Sequence, residues 1–325
     1  MNKYISLKVL ICIEKDSLAY EYLSKYKDNL FDLIAFNRNI NLKNQVSDID
    51  VLIPISQKVD EEVLINAHKL ILIQQFGVGL ETININAASK NGIYVAITPV
   101  NSVSVAELAL MFMLMLSRKY KTTQECFKER KWFSPMGNEL SGKTLLIIGL
   151  GNIGKALAKM AKGLDMYAIG IKRKIEKVEY VDEVYTNEKL QELLSRADYI
   201  VVSLPLTEET RNFISLEHFS IMKRTAYFIN VSRRAIVDKN ALEKALKEKW
   251  IAGAALDVFW EEPANPKEEI YNLPNVLTTP HIGGLTQEAY ERTVKTIIEN
   301  IRLVLQGKIP KYVVDREEIR KFSNK

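Results

Sequence analysis

Short apolar runs rich in β-branched residues alternate along the chain with stretches whose apolar positions recur at helical spacing. The first series comprises KVLICI (8–13), FDLIAF (31–36), DVLIPI (50–55), LILIQQF (70–76) and IYVAI (93–97). Helical patterns at DEEVLINAHK (60–69) and NINAASKNG (84–92) separate several of these runs. A second series opens at KTLLIIG (143–149) and continues through MYAIGI (166–171), DYIVVSL (198–204), TAYFINV (225–231), IAGAALDV (251–258) and NVLTTP (275–280). Runs this short and this apolar, alternating with helices, predict parallel strands covered on both faces. One long helix is expected over about 103–121, between the two series. A second is expected over about 287–306, stopped by Gly307.

Composition narrows the function classes. The chain has 325 residues, 47% hydrophobic and 26% charged, enough to bury two cores. Its net charge of +5 is spread along the sequence without a long basic block, which argues against a nucleic-acid partner. Cys12 and Cys126 stand far apart, and with three histidines in all, no metal-type spacing is present. No metal is expected. The N-terminal apolar run is interrupted by Lys8 and closed by Glu14 and Lys15, unlike a signal peptide. LALMFMLML (108–116) is too short to span a bilayer and reads as a buried helix. No membrane partner is expected, and the cytoplasm is the expected compartment.

GLGNIG (149–154) follows the strand TLLIIG and opens the helix NIGKALAKMAKGL, the context in which a GxGxxG pattern binds a dinucleotide. Gly149 makes the tight turn, Gly151 lets a pyrophosphate approach the backbone, and Gly154 lets helix and strand pack closely. The helix N-terminus supplies N–H groups for the phosphates. The next strand ends in Lys172, Arg173 and Lys174, where an acid would accept the ribose hydroxyls of NAD. Lys172 and Arg173 suit a 2′-phosphate instead and slightly favour NADP(H) over NAD(H). The competing reading has both side chains in solvent, with Glu176 curling back to the ribose.

Reduction of a carbonyl needs a proton donor titrating near neutrality, for which histidine is suited. His68 lies in a polar stretch and reads as a surface residue; His218 lies at a capped helix start. His281, in TTPHIGG, follows a strand and precedes a glycine pair, at the end of the sheet where ligands bind. Arg233, just after TAYFINV, could grip a carboxylate through two parallel bonds, with Arg234 as the alternative claimant. Glu262, before Pro263, could fix the tautomer of His281 and raise its pKa; Glu261 is its rival, and WEEPANP also reads as an acidic turn.

The chain resembles the D-isomer-specific 2-hydroxyacid dehydrogenases over nearly its whole length. The carrying stretches are QFGVGLETININAASKNGIYV (75–95), NSVSVAEL (101–108), LSGKTLLIIGLGNIG (140–154), LPLTEETRNFI (204–214), INVSRRAIVD (229–238), AGAALDVFWEEP (252–263) and LTTPHIGG (277–284). The resemblance implies an α/β fold of two doubly wound parallel sheets. A flavodoxin-like substrate domain (1–100 plus 290–325) would receive an inserted Rossmann dinucleotide domain (101–289), with the ligand cleft between them. It also implies an oxidoreductase moving hydride between a nicotinamide dinucleotide and a 2-hydroxyacid/2-oxoacid pair. Arg233 would bind the carboxylate, His281 would be the acid/base, and Glu262 its partner. The backbone at Val78 and Gly79 would hold the substrate carboxylate. Cofactor contacts are implied for Gly149, Gly151, Asn152, Ile153, Gly154, Lys172, Arg173, Leu204, Pro205, Val231, Ser232, Asp257, His281, Gly283 and Gly284. A homodimer through the cofactor domains is implied, with residues 130–140 contributing. Two departures stand out: Lys172 replaces the usual acid, and Arg234 replaces the usual glycine beside the arginine. The stretch PISQKVDEEVL (54–64) offers Lys58 but no arginine for a substrate phosphate, so glyoxylate or hydroxypyruvate is favoured over 3-phosphoglycerate. A dinucleotide-sensing binding protein is the alternative of another class, disfavoured because Arg233, Glu262 and His281 are all present.

Overall fold

The computed structural model describes residues 6–314 apart from 28, 30, 133 and 134. The end of the expected substrate-domain segment 290–325 beyond Val314, and part of the 130–140 stretch, therefore lie outside the described residues. The chain divides into two compact units, Met1–Asn101 with Leu285–Lys325, and Ser102–Gly284.

In the first unit, strands β1 (Leu7–Ile11), β2 (Phe31–Ala35), β3 (Val51–Ile53), β4 (Leu72–Gln74) and β5 (Tyr94–Ala96) form a parallel sheet in the order β2-β1-β3-β4-β5. Successive side chains of a strand face opposite sides, and here both sides are covered. Val9, Ile11, Val51, Ile53 and Leu72 pack against Leu23 and against Val294, Ile297, Ile298 and Ile301 of the helix Gln287–Leu305. Their neighbours Leu10, Leu52 and Ile73 pack on Val63, Leu64 and Ala88 on the other side. Each such side chain contributes about 1.5–3 kcal/mol by leaving water. The helix Gln287–Leu305 buries a stripe at helical spacing and starts where Thr286 accepts the Ala289 N–H at 3.2 Å. It stops as expected at Gly307 (φ 67°), with the Lys308 N–H returning to the Leu303 carbonyl at 2.8 Å.

The second unit holds strands β6 (Thr144–Ile148), β7 (Tyr167–Ile171), β8 (Glu183–Tyr185), β9 (Tyr199–Val202), β10 (Tyr227–Asn230), β11 (Gly253–Leu256) and β12 (Val276–Thr278). They form a parallel sheet in the order β12-β11-β10-β9-β6-β7-β8. Leu145, Ile147, Val201 and Ile229 face the helices Ser102–Ser117 and Asn152–Lys162; Leu146, Ile148, Ile200 and Phe228 face Leu193, Phe219 and Leu242 on the opposite layer. The strand order reverses between β6 and β9, which makes a crevice at their carboxyl ends.

One expectation is corrected, and one element is added. The helix expected over 103–121 is two helices, Ser102–Ser117 and Tyr120–Lys128. The Ser117 carbonyl accepts from the Asn138 N–H at 2.9 Å, which diverts it from the helical ladder, and Lys119 turns left-handed at φ 49°. Strand β8 was not anticipated. Its three residues are half-buried at the sheet edge, and Glu183 supplies no apolar signal.

Candidate active site

The fingerprint loop leaves β6 at the reversal of strand order. Gly149 sits at φ 108°, and a Cβ there would lie 2.7 Å from the Ser203 carbonyl oxygen, so only glycine fits. The Ser203 hydroxyl donates back to the Gly149 carbonyl at 2.7 Å, tying the loop to the end of β9. A Cβ on Gly154 would strike the Gly149 carbonyl and the Ile147 side chain, which explains the close helix–strand packing. Gly151 is different: a Cβ there would meet nothing within 4 Å, and Gly151 has no side chain to cap the helix that begins at Asn152 and Ile153. Open space at a helix N-terminus, with free N–H groups and a partial positive charge, fits a pyrophosphate.

Lys172 directly follows β7, with its side chain largely buried and its ammonium ion paired with Glu176, whose carboxyl this contact holds below the usual range. Arg173 is exposed and lies 3.7 Å from Glu209. Beyond β9, the Leu204 carbonyl accepts from the Ser232 hydroxyl, while Pro205 is exposed. Beyond β10, Val231 and Ser232 are buried. The buried Asn230 amide accepts from the Ser232 N–H at 3.0 Å and donates to the Arg233 carbonyl at 3.1 Å, fixing the turn that presents Arg233. One Arg233 guanidinium nitrogen donates to the Ser232 carbonyl at 2.9 Å.

His281 Nδ1 lies 3.1 Å from Glu262 Oε2, while Glu262 Oε1 accepts from the Phe259 N–H at 3.1 Å. The carboxylate raises the imidazole pKa above the ordinary histidine value; burial and the nearby charge of Arg233 oppose that rise. In return, the His281 contact holds the Glu262 carboxyl low, against burial, and the charge of Arg234 adds to the same effect. So Glu262, rather than its rival Glu261, is the carboxylate that meets His281.

Asp257 has a role the sequence did not disclose. It leaves β11 at 2% exposure and accepts three hydrogen bonds from the His281 loop, from Thr279 Oγ1 at 2.6 Å, Ile282 N at 2.8 Å and Gly283 N at 2.8 Å. Burial pushes its carboxyl up, while those three bonds hold it down. A Cβ on Gly283 would lie 2.9 Å from Asp257 Oδ2, so the glycine permits the close approach; Gly284 follows, half-buried. Long-range pairing of this kind leaves no local signal in a sequence.

Arg233, Glu262, His281 and Asp257 thus converge at the carboxyl ends of β10, β11 and β12. Val78 and Gly79 belong to the first unit, on the loop after β4. His68 is exposed on a turn. His218 completes a capping box with Ser215, and burial holds its pKa below the ordinary value. Cys12 is buried, which pushes its thiol up to about 12 and leaves it inert. Among the described residues no group of His, Cys, Asp and Glu could hold a metal ion, and no helix is long and apolar enough to cross a membrane.

Comparison with known proteins gives a consistent result. The family model described as D-isomer specific 2-hydroxyacid dehydrogenase, NAD binding domain, matches residues 110–283. A glyoxylate reductase of Pyrococcus horikoshii is 41% identical over 298 residues, 87% of this chain and 87% of that protein. A D-3-phosphoglycerate dehydrogenase of Methanocaldococcus jannaschii is 39% identical over 290 residues, 86% of this chain but 54% of that protein. Among solved structures, the TT0316 protein of Thermus thermophilus matches with a TM-score of 0.85 at 31% identity, covering 95% of this chain and 100% of that one.

Proposed function

The chain belongs to the D-isomer specific 2-hydroxyacid dehydrogenases, nicotinamide-dependent oxidoreductases of CH–OH groups, and we propose that it reduces glyoxylate or hydroxypyruvate. The single observation that carries the reading is the His281–Glu262 pair, an imidazole whose pKa the carboxylate raises, beside an arginine at the mouth of a dinucleotide crevice. The similarity to a glyoxylate reductase supports the choice of a short 2-oxoacid.

Arg233 pairs with the substrate carboxylate and draws electron density from the adjacent carbonyl. The backbone at Val78 and Gly79, on the loop after β4, offers N–H groups to a substrate carboxylate. His281 delivers its proton to the carbonyl oxygen, and Glu262 stabilises the imidazolium before that transfer and fixes its tautomer. Asp257 keeps the His281 loop in place. A nicotinamide dinucleotide, when bound, supplies the hydride for the carbonyl carbon. Gly149, Gly151, Asn152, Ile153 and Gly154 would hold its pyrophosphate; Leu204, Pro205, Val231, Ser232, Gly283 and Gly284 would line its remaining length.

For the cofactor, a slight preference for NADP(H) follows from Lys172 and Arg173. A 2′-phosphate carries more charge than one carboxylate and would displace Glu176 from Lys172. The same ion pair also supports the reverse reading, in which Lys172 presents Glu176 to the ribose hydroxyls of NAD. Initial rates with NADH and NADPH at equal subsaturating concentration decide between them: faster turnover with NADPH is expected, and a strong NADH preference would overturn it.

The functional assignment itself is tested by His281→Asn. Loss of the general acid should lower kcat for glyoxylate by about 10²–10⁴-fold with dinucleotide affinity retained. Turnover that survived intact would remove His281 from its role. A homodimer in the cytoplasm completes the proposal, supported by apolar side chains exposed on the second unit, among them Met111, Leu114, Phe127 and Trp132.

A further inference from the structure

We propose that Gln75 is a positioning residue that sets the direction of the substrate-binding N–H groups on the loop after β4. The inference rests on the reading of Val78 and Gly79 as the loop that holds the substrate carboxylate. Gln75 is 5% exposed, and its amide is engaged at both ends. Nε2 donates to the Ile55 carbonyl at 3.0 Å and to the Gly79 carbonyl at 2.6 Å, while Oε1 accepts from the Phe76 N–H at 3.0 Å. Its backbone is equally fixed, with the N–H on the Ala96 carbonyl at 2.8 Å and the carbonyl accepting from Thr98 Oγ1 at 3.2 Å and Gln74 Nε2 at 3.1 Å.

A trans peptide points its N–H opposite to its carbonyl. The Gly79 carbonyl is drawn inward to Gln75, so the N–H of Leu80 points the other way. The Gly77 carbonyl is likewise drawn to the Thr98 N–H at 2.7 Å, which turns the N–H of Val78 outward. The N–H groups of Val78 and Leu80, on either side of Gly79, are thereby free to donate to a carboxylate seated on the Val78–Gly79 loop, and one buried amide sets the direction of half of that pair. The same Nε2 clamps Ile55, a β-branched residue at φ 57°, so the loops after β3 and β4 share one fastening.

The test is steady-state kinetics of the full-length enzyme with glyoxylate at saturating dinucleotide, for Gln75→Leu and the near-isosteric Gln75→Glu. The loop grips the carboxylate alike in ground and transition states, so KM should rise about tenfold with kcat within about twofold of wild type. Dinucleotide affinity, read by fluorescence titration, should not change. In Gln75→Glu an ionised carboxylate cannot donate to either carbonyl, so KM should recover toward wild type as falling pH protonates it. KM within about twofold of wild type in both variants, or a fall in kcat at constant KM, overturns the role of Gln75. A wild-type enzyme that turned over no 2-oxoacid would instead remove the reading on which it rests.

Discussion

His281 occupies the left-handed region at φ 55°, a conformation that costs a residue with a Cβ about 1 kcal/mol or more. Asp257 holds it there, and Glu262 sets its charge. The pair predicts opposite pH profiles for the two directions of reaction. Reduction consumes the imidazolium, so kcat/KM for glyoxylate should be flat at low pH and fall about tenfold per unit above the raised histidine pKa. Oxidation of the hydroxyacid needs the neutral ring and should rise over the same range. In Glu262→Gln the largest cause of the raised pKa is gone, leaving burial and the charge of Arg233 against the lesser pull of Asp257, so both breaks should move to lower pH. Profiles that break at the same pH in variant and wild type would exclude Glu262 as the cause. Stability follows the same signs. The His281 contribution is complete below the ordinary histidine value and is lost as pH rises through the raised one. The Glu262 contribution is complete above the ordinary glutamate value and is lost as pH falls through its lowered one.

At the level of elements, what was legible in the sequence is what depends on local pattern. Strands such as Thr144–Ile148 are apolar on both faces and announce themselves, and a glycine series directly after one of them marks the phosphate turn. Strand β8 did not announce itself, because its stability is tertiary: Glu183 accepts from Arg196, Tyr167 and Tyr185, contacts that hold its carboxyl down at about 2. The helix break at Lys119 likewise depends on Asn138, far along the chain. In the site, residue type and strand-end position pointed to His281 but left Arg233 against Arg234 and Glu262 against Glu261, and the family resemblance chose between them. The three bonds from the His281 loop to Asp257, and those of Gln75 to two separate loops, had no local correlate. The Asp257 cluster carries a prediction at this scale, since it fastens the end of β12 to β11. Asp257→Asn keeps the size but replaces one acceptor oxygen by a donor facing an N–H or hydroxyl. One buried donor is then left unpaired, at a cost of about 1–3 kcal/mol in the stability of this unit. Denaturant unfolding should report that loss, and kcat should fall more than dinucleotide affinity. Unchanged stability and turnover would mean that the loop holds itself.

Over the whole molecule, most large apolar side chains of the described residues are buried, and several of the exposed ones fall in one stretch of sequence. The helix Ser102–Ser117 buries Val105, Ala109, Phe112 and Met113 against its own sheet and helices, yet exposes Val103, Met111 and Leu114 on the other side. The next helix, Tyr120–Lys128, buries no residue and carries Phe127 at 68% exposure; beyond it, Trp132 is 97% and Met136 89% exposed. Single exposed apolar residues are ordinary, but one contiguous stretch of sequence that exposes so many is the mark of an interface. A second copy of the chain, joined through this unit, would remove these side chains from water, and obligate homodimers are held by interfaces of this apolar kind. Light scattering on the purified protein should therefore give twice the chain mass at micromolar concentration. A charge placed in the middle of the stripe, Leu114→Glu, would have to be desolvated twice in a symmetric pair and should shift the mass to that of one chain. Because Leu114 faces away from the sheet, the variant should fold, with an unchanged far-ultraviolet spectrum. A wild-type protein of single mass, or a dimer untouched by Leu114→Glu, would assign these side chains to some other contact.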